Sequence, residues 1–149
     1  MNERKTRTLK LTALGLVGFH FLVVVLHSVA HEILAVKATR AQLAFIVPVI
    51  IVAPLAAGVV LPKFERIGAL LLLVSMSGSF AFGLYYHFVA DTIDHVAHVA
   101  RLRPAFWSAT FQVTALLLAA SEVAGAAAAG LLAAGRARRF EHHAARTDF

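Results

Sequence analysis

The sequence predicts an all-α integral membrane protein: a four-helix bundle running up-down-up-down, with both termini cytoplasmic. Three observations lead there. The 149-residue chain is 60% hydrophobic with a mean hydropathy of +0.78, too apolar for an ordinary soluble domain of this length. Its apolar residues fall into four runs of spanning length separated by short connections, and a hydrocarbon layer demands backbone hydrogen bonds closed within each segment. The basic residues cluster at one level of the resulting hairpins, which sets the orientation.

The first span is predicted over residues 11–36. "MNERKTRTLK" followed by an apolar run and "SVA" resembles a signal peptide. The run from Leu11 to Ala30 exceeds the roughly 7–15 residues of a signal-peptide core and is long enough to cross a bilayer. It is read as a retained first span. The second span, residues 41–61, carries no charge and ends at Pro62. Pro48 and Pro54 lie inside it and should bend it. The third is predicted over 67–90, with the helix continuing toward Ala100. The fourth is predicted over 104–135, opened by Pro104 in its first turn and followed by a basic cytoplasmic tail, 136–149. All of residues 1–149 are assigned to one four-span domain.

With the N-terminus inside, ten of the fourteen Lys and Arg fall on the cytoplasmic side and four on the other. The positive-inside rule favours this arrangement. Tyr85, Tyr86 and Trp107 then lie at the outer interface, as an aromatic belt would. The short loops and alanine- and arginine-rich composition suggest a bacterial inner (cytoplasmic) membrane. Cysteine is absent, which excludes disulfides, thiolate metal sites and Fe–S clusters. No basic-aromatic interleaving points to nucleic acid. The expected partners are the lipid bilayer and either further copies of the chain or a larger membrane complex. Ser75, Ser79 and Gly83, and the run "AGAAAAGLLAAG", read as close-packing faces.

The polar residues carry the functional reading. His20, His27 and His31 are spaced by seven and four, so they lie along one face of span 1. His87, Asp94 and His98 repeat those offsets, and Asp91 lies one turn from His87. Two spans with matching polar stripes should face a shared interior, because such groups rarely face lipid. His31 is 21 residues above Lys10 and His87 is 21 above Arg66, so both sit roughly 31 Å above their cytoplasmic anchors.

This pattern predicts an exoplasmic metal site from His27, His31 and His87, with Asp91 as the preferred carboxylate. Asp94 and His98 form its outer extension or entry. Imidazole and carboxylate ligands suit copper, zinc or iron. Deeper in the bundle, His20 and Glu122 form a predicted proton relay. His31 with His87, or His20 with Met76, offers the alternative of b-type haem ligation. A non-catalytic subunit and a proton-linked transporter or pH sensor are the other rivals. No conventional enzyme signature is present: "HSVAHE" lacks the intervening glutamate of a zinc-protease helix. Enzymatic activity is left open. Metal handling and metal-dependent redox chemistry are equally compatible with the spacing.

Overall fold

The computed structural model describes the backbone of residues 2–147 and the side chains of residues 2–135. The predicted tail, including His142 and His143, has its side chains outside the described residues. Every regular element in the described chain is helical. Four helices are long and apolar enough to cross a membrane: α1 (Glu3–Ile33), α2 (Arg40–Val60), α3 (Glu65–Val89) and the part Ala105–Gly135 of the last helix. A short helix, α4 (Val96–Val99), precedes that last helix, α5 (Ala105–Thr147).

The helix ends explain where the loops begin. Asn2 caps α1, its side chain accepting from the Lys5 amide at 2.9 Å. At the far end Ala35 takes φ 56°, a left-handed conformation that costs a non-glycine residue about 1–2 kcal/mol. α1 therefore stops at Ile33, short of the predicted Val36. The Val36 amide turns back to the His31 carbonyl at 3.0 Å. Thr39 and Gln42 cap α2 reciprocally, at 2.7 and 3.2 Å. Pro48 and Pro54 do not break α2. They fall in and just after a wider π-helical segment, Ile46–Val52, which accommodates the missing N–H groups.

The largest departure from the sequence reading is in α3. Its last turn, Tyr85–Val89, is also π-helical, and Ala90 is extended at φ −77°, ψ 135°. The helix does not continue to Ala100. Thr92, whose hydroxyl donates to the Tyr86 carbonyl at 3.3 Å, closes the exit locally. Local side-chain bonds of this kind compete with helix continuation.

In cross-section α5 packs against α1 and α3, while α2 packs against α3 and meets α1 through its second half, Ala53–Val60. There Gly58 lies against Val17 and Leu14. Gly68, at the start of α3, lets that helix approach the end of α2: a Cβ there would stand 2.4 Å from the Leu61 Cα. Gly125 similarly admits Met76 to the α3–α5 contact.

The half of the bundle toward Lys10 and Glu65, the inner half on the orientation that the charges favour, is a continuous apolar core including Val17, Ala57, Leu61, Leu72, Met76 and Leu132. Lys10 and Glu65 bridge α1 and α3 at its end, 2.6 Å apart. Leu22, Val59, Val74 and Leu116 face outward and are well exposed, as side chains directed at lipid would be. The polar groups concentrate in the outer half.

Candidate metal centre

His27, His31 and His87 meet there. One nitrogen from each lies within 4.8 Å of the other two. The ring centroids of His27 are 4.7 Å from those of His31 and 5.0 Å from those of His87. Phe111 of α5 packs against all three rings. His27 and His87 are buried; His31 is half-buried.

Each ring is held by its Nδ1. His31 Nδ1 is 2.8 Å from the Val36 carbonyl, an approach made by the turn at Ala35. His87 Nδ1 is 3.1 Å from the Asp94 carbonyl, an approach made by the break at Ala90. A carbonyl only accepts, so both Nδ1 atoms carry hydrogen. His27 Nδ1 is 2.8 Å from Thr114 Oγ1. The Thr114 hydroxyl hydrogen is engaged by the carbonyl of Thr110 at 2.7 Å or Phe111 at 3.0 Å. His27 therefore donates as well.

In the neutral rings Nε2 then carries a lone pair on all three residues. His27 Nε2 and His31 Nε2 are 3.2 Å apart. Two lone pairs at that separation repel unless something positive lies between them. Metal–imidazole bonds of 2.0–2.1 Å in a tetrahedron place neighbouring nitrogens about 3.3 Å apart. The His27–His31 spacing matches one ligand edge of such a site, and a His87 nitrogen lies within 4.8 Å of both residues' ligand atoms. Anchoring Nδ1 to oxygen while Nε2 faces the metal is also how metal-binding histidines are usually oriented.

The carboxylates behave differently. Among the described residues none joins this group. Asp91, the preferred carboxylate of the sequence reading, has a side chain 92% exposed and pairs with His98 Nε2 at 3.3 Å. The structure thus puts Asp91 and His98 together at the surface, apart from the triad, because the chain leaves the helix at Ala90. Asp94 is buried, but its Oδ2 accepts from Gln42 Nε2 at 3.2 Å. Its backbone carbonyl, not its side chain, serves His87. His95 caps α4 through Nδ1, accepting from the Ala97 amide at 3.2 Å. Gln112 turns back onto Ser108 of its own helix.

One layer deeper, His20 Nδ1 lies 4.0 Å from Glu122 Oε1 and 3.4 Å from Ser121 Oγ. Its Nε2 donates to the Ile50 carbonyl at 3.2 Å. Pro54, four residues on, has no N–H to offer that carbonyl. Met76 is fully enclosed in the inner core, its sulfur close to Gly125. A cavity of about 370 Å³ adjoins the triad and reaches Glu122; neither His20 nor Met76 lines it.

Sequence reasoning missed Thr114, Gln42 and the carbonyls of Val36 and Asp94. A threonine within an apolar helix reads as packing, and a carbonyl has no sequence signature. The "TRAQ" capping box was the legible sign that Gln42 would be held in place.

Comparison with known proteins returned no match to a family model, to a curated protein or to a solved structure. The class that fold and site define is therefore the firm description: a helical chain with four membrane-length apolar helices and a three-histidine cluster able to hold a metal ion.

Proposed function

We propose that this chain is an integral membrane metalloprotein. It is a single four-span bundle with up-down-up-down order and both termini cytoplasmic, as the charge distribution favours. It carries one transition metal ion at His27, His31 and His87, toward the exoplasmic end. A bacterial inner membrane suits its composition. The observation that carries the reading is the set of three anchored Nδ1 atoms, with two Nε2 atoms 3.2 Å apart.

Ligand chemistry favours copper or zinc. A group of imidazoles without a carboxylate is not the facial triad of a non-haem iron site. Haem draws less support, because both His20 nitrogens already face oxygen atoms. Passage of the ion through the bundle also draws less support, since an apolar core fills the inner half. Three protein ligands beside a cavity leave a coordination position open, the arrangement of catalytic rather than structural sites. This supports metal-dependent chemistry over simple metal storage.

Elemental analysis of detergent-purified protein tests the reading, with wild type compared to His27→Ala/His87→Ala. Wild type should hold close to one metal ion per chain, and the double variant should lose it while keeping its helical circular dichroism. Equal, substoichiometric metal in both would sink the proposal.

A further inference from the structure

The cavity beside the triad has features that holding a metal does not require. At about 370 Å³ it is in the size range of small-molecule sites. Most of its wall is apolar, with Val24, Ile46, Ile50, Phe82 and Leu118 among its residues. Its exposed lining residues are Ser28, Glu32, Lys37 and Leu43. Ser28 is on α1 and Leu43 on α2, so the mouth follows the seam between them. α1 meets α2 through Ala53–Val60, so the mouth lies between the opposite ends of these two helices, with Glu32 and Lys37 beside it.

Two buried carboxyl groups interrupt the apolar wall. Glu122 is 3% exposed, and the ionisable group facing it is His20, whose Nδ1 lies 4.0 Å from Oε1. That is too long for a hydrogen bond. Asp94 is 4% exposed, and its Oδ1 has no partner. Buried carboxyl oxygens without donors are costly, and both border this space. Gly83 keeps the way open between Glu122 and the triad. A Cβ there would lie 3.9 Å from His87 Cδ2 and 4.0 Å from Glu122 Oε2.

We propose that this cavity binds a lipid-phase amphiphile with a hydroxyl head, of the alkylphenol class. It enters between α1 and α2 and sets its oxygen between the metal and Glu122. The proposal rests on the three-histidine reading for the head group's second partner. The head must give a lone pair to the metal and a hydrogen to Glu122. A hydroxyl does both. A protonated amine has no lone pair to give, and an ionised fatty-acid carboxylate has no hydrogen to give Glu122. A phenol is the hydroxyl with the stronger O–H donor: that hydrogen would bond to a Glu122 carboxyl oxygen, and the phenol oxygen would keep a lone pair for a metal held by the three histidines. No covalent bond changes and no electron is transferred.

The test uses copper-loaded full-length protein in detergent, with 4-hexylphenol as probe and hexylbenzene and octanoate as controls. Copper content is measured on every sample. The phenol should bind saturably and perturb the copper absorption spectrum, with the controls at least about tenfold weaker. Gly83→Val, which fills the gap without removing a ligand, should keep its copper and lose most of the phenol binding. Glu122→Gln should keep its copper and weaken the phenol about tenfold. Hexylbenzene binding as well as the phenol, or copper-loaded Gly83→Val binding it normally, overturns this proposal alone. A wild type that takes up no copper overturns the metal reading and the head-group assignment with it.

Discussion

Thr114 shows how much of the site depends on a residue that touches no metal. Its hydroxyl, with its own hydrogen spent on α5 carbonyls, fixes the His27 tautomer at 2.8 Å. Thr114→Val keeps the shape and removes the acceptor. Metal affinity should then fall by about 10–100-fold, measured by competition with a chelator, with little change in melting temperature. Unchanged affinity would mean that the ring and backbone of Phe111 hold His27 in place without Thr114. The same scale shows what the sequence made legible. The spacing of His27 and His31 on one helical face and the matched depth of His87 pointed to three residues the structure does bring together. Asp91 and His98 followed the same periodicity, but they required a helix through residue 100, and the chain leaves it at Ala90. Periodicity places side chains only as far as the helix extends.

At the scale of elements, the loops serve the site as much as the helices do. The left-handed turn at Ala35 returns the Val36 carbonyl to His31, and the break after Val89 delivers the Asp94 carbonyl to His87. Neither was readable in advance. No proline or glycine lies between Leu84 and Arg103 to mark the end of α3, and the Ala35 turn uses a residue that normally avoids positive φ. The proline-bearing span was only half legible: Pro48 and Pro54 announced irregularity, but not a π-helical segment that leaves α2 continuous. Gly68 gives this scale its prediction. With the Leu61 Cα only 2.4 Å from its absent Cβ, Gly68→Ala should force α2 and α3 apart. It should destabilise the fold by about 1–3 kcal/mol, read as a lower melting temperature in detergent. Full stability would show that the turn relaxes freely.

For the molecule as a whole, the bundle divides into an apolar half toward Lys10 and Glu65 and a more polar half around the three histidines. The inner half is apolar from α1 through α5 and holds the four helices together. The outer half has the three histidines, the cavity and the two buried carboxyl groups. Composition alone made the membrane class legible, because four long apolar runs admit few other folds. Composition was silent on how the helices pack, and so on the cavity beside the triad that α1, α2, α3 and α5 line together. The metal would bind α1 and α3 to each other across a region where side chains, not close backbone packing, fill the space.

The central claim is that His27, His31 and His87 hold one metal ion through Nε2. X-ray absorption of copper- or zinc-loaded protein at the metal edge tests it most directly. The account predicts about three imidazole nitrogens at about 2.0–2.1 Å, with a further light atom completing the shell, and loss of the imidazole scattering pattern in His27→Ala/His87→Ala. A shell dominated by carboxylate or water oxygens, or the same spectrum from wild type and double variant, would contradict it.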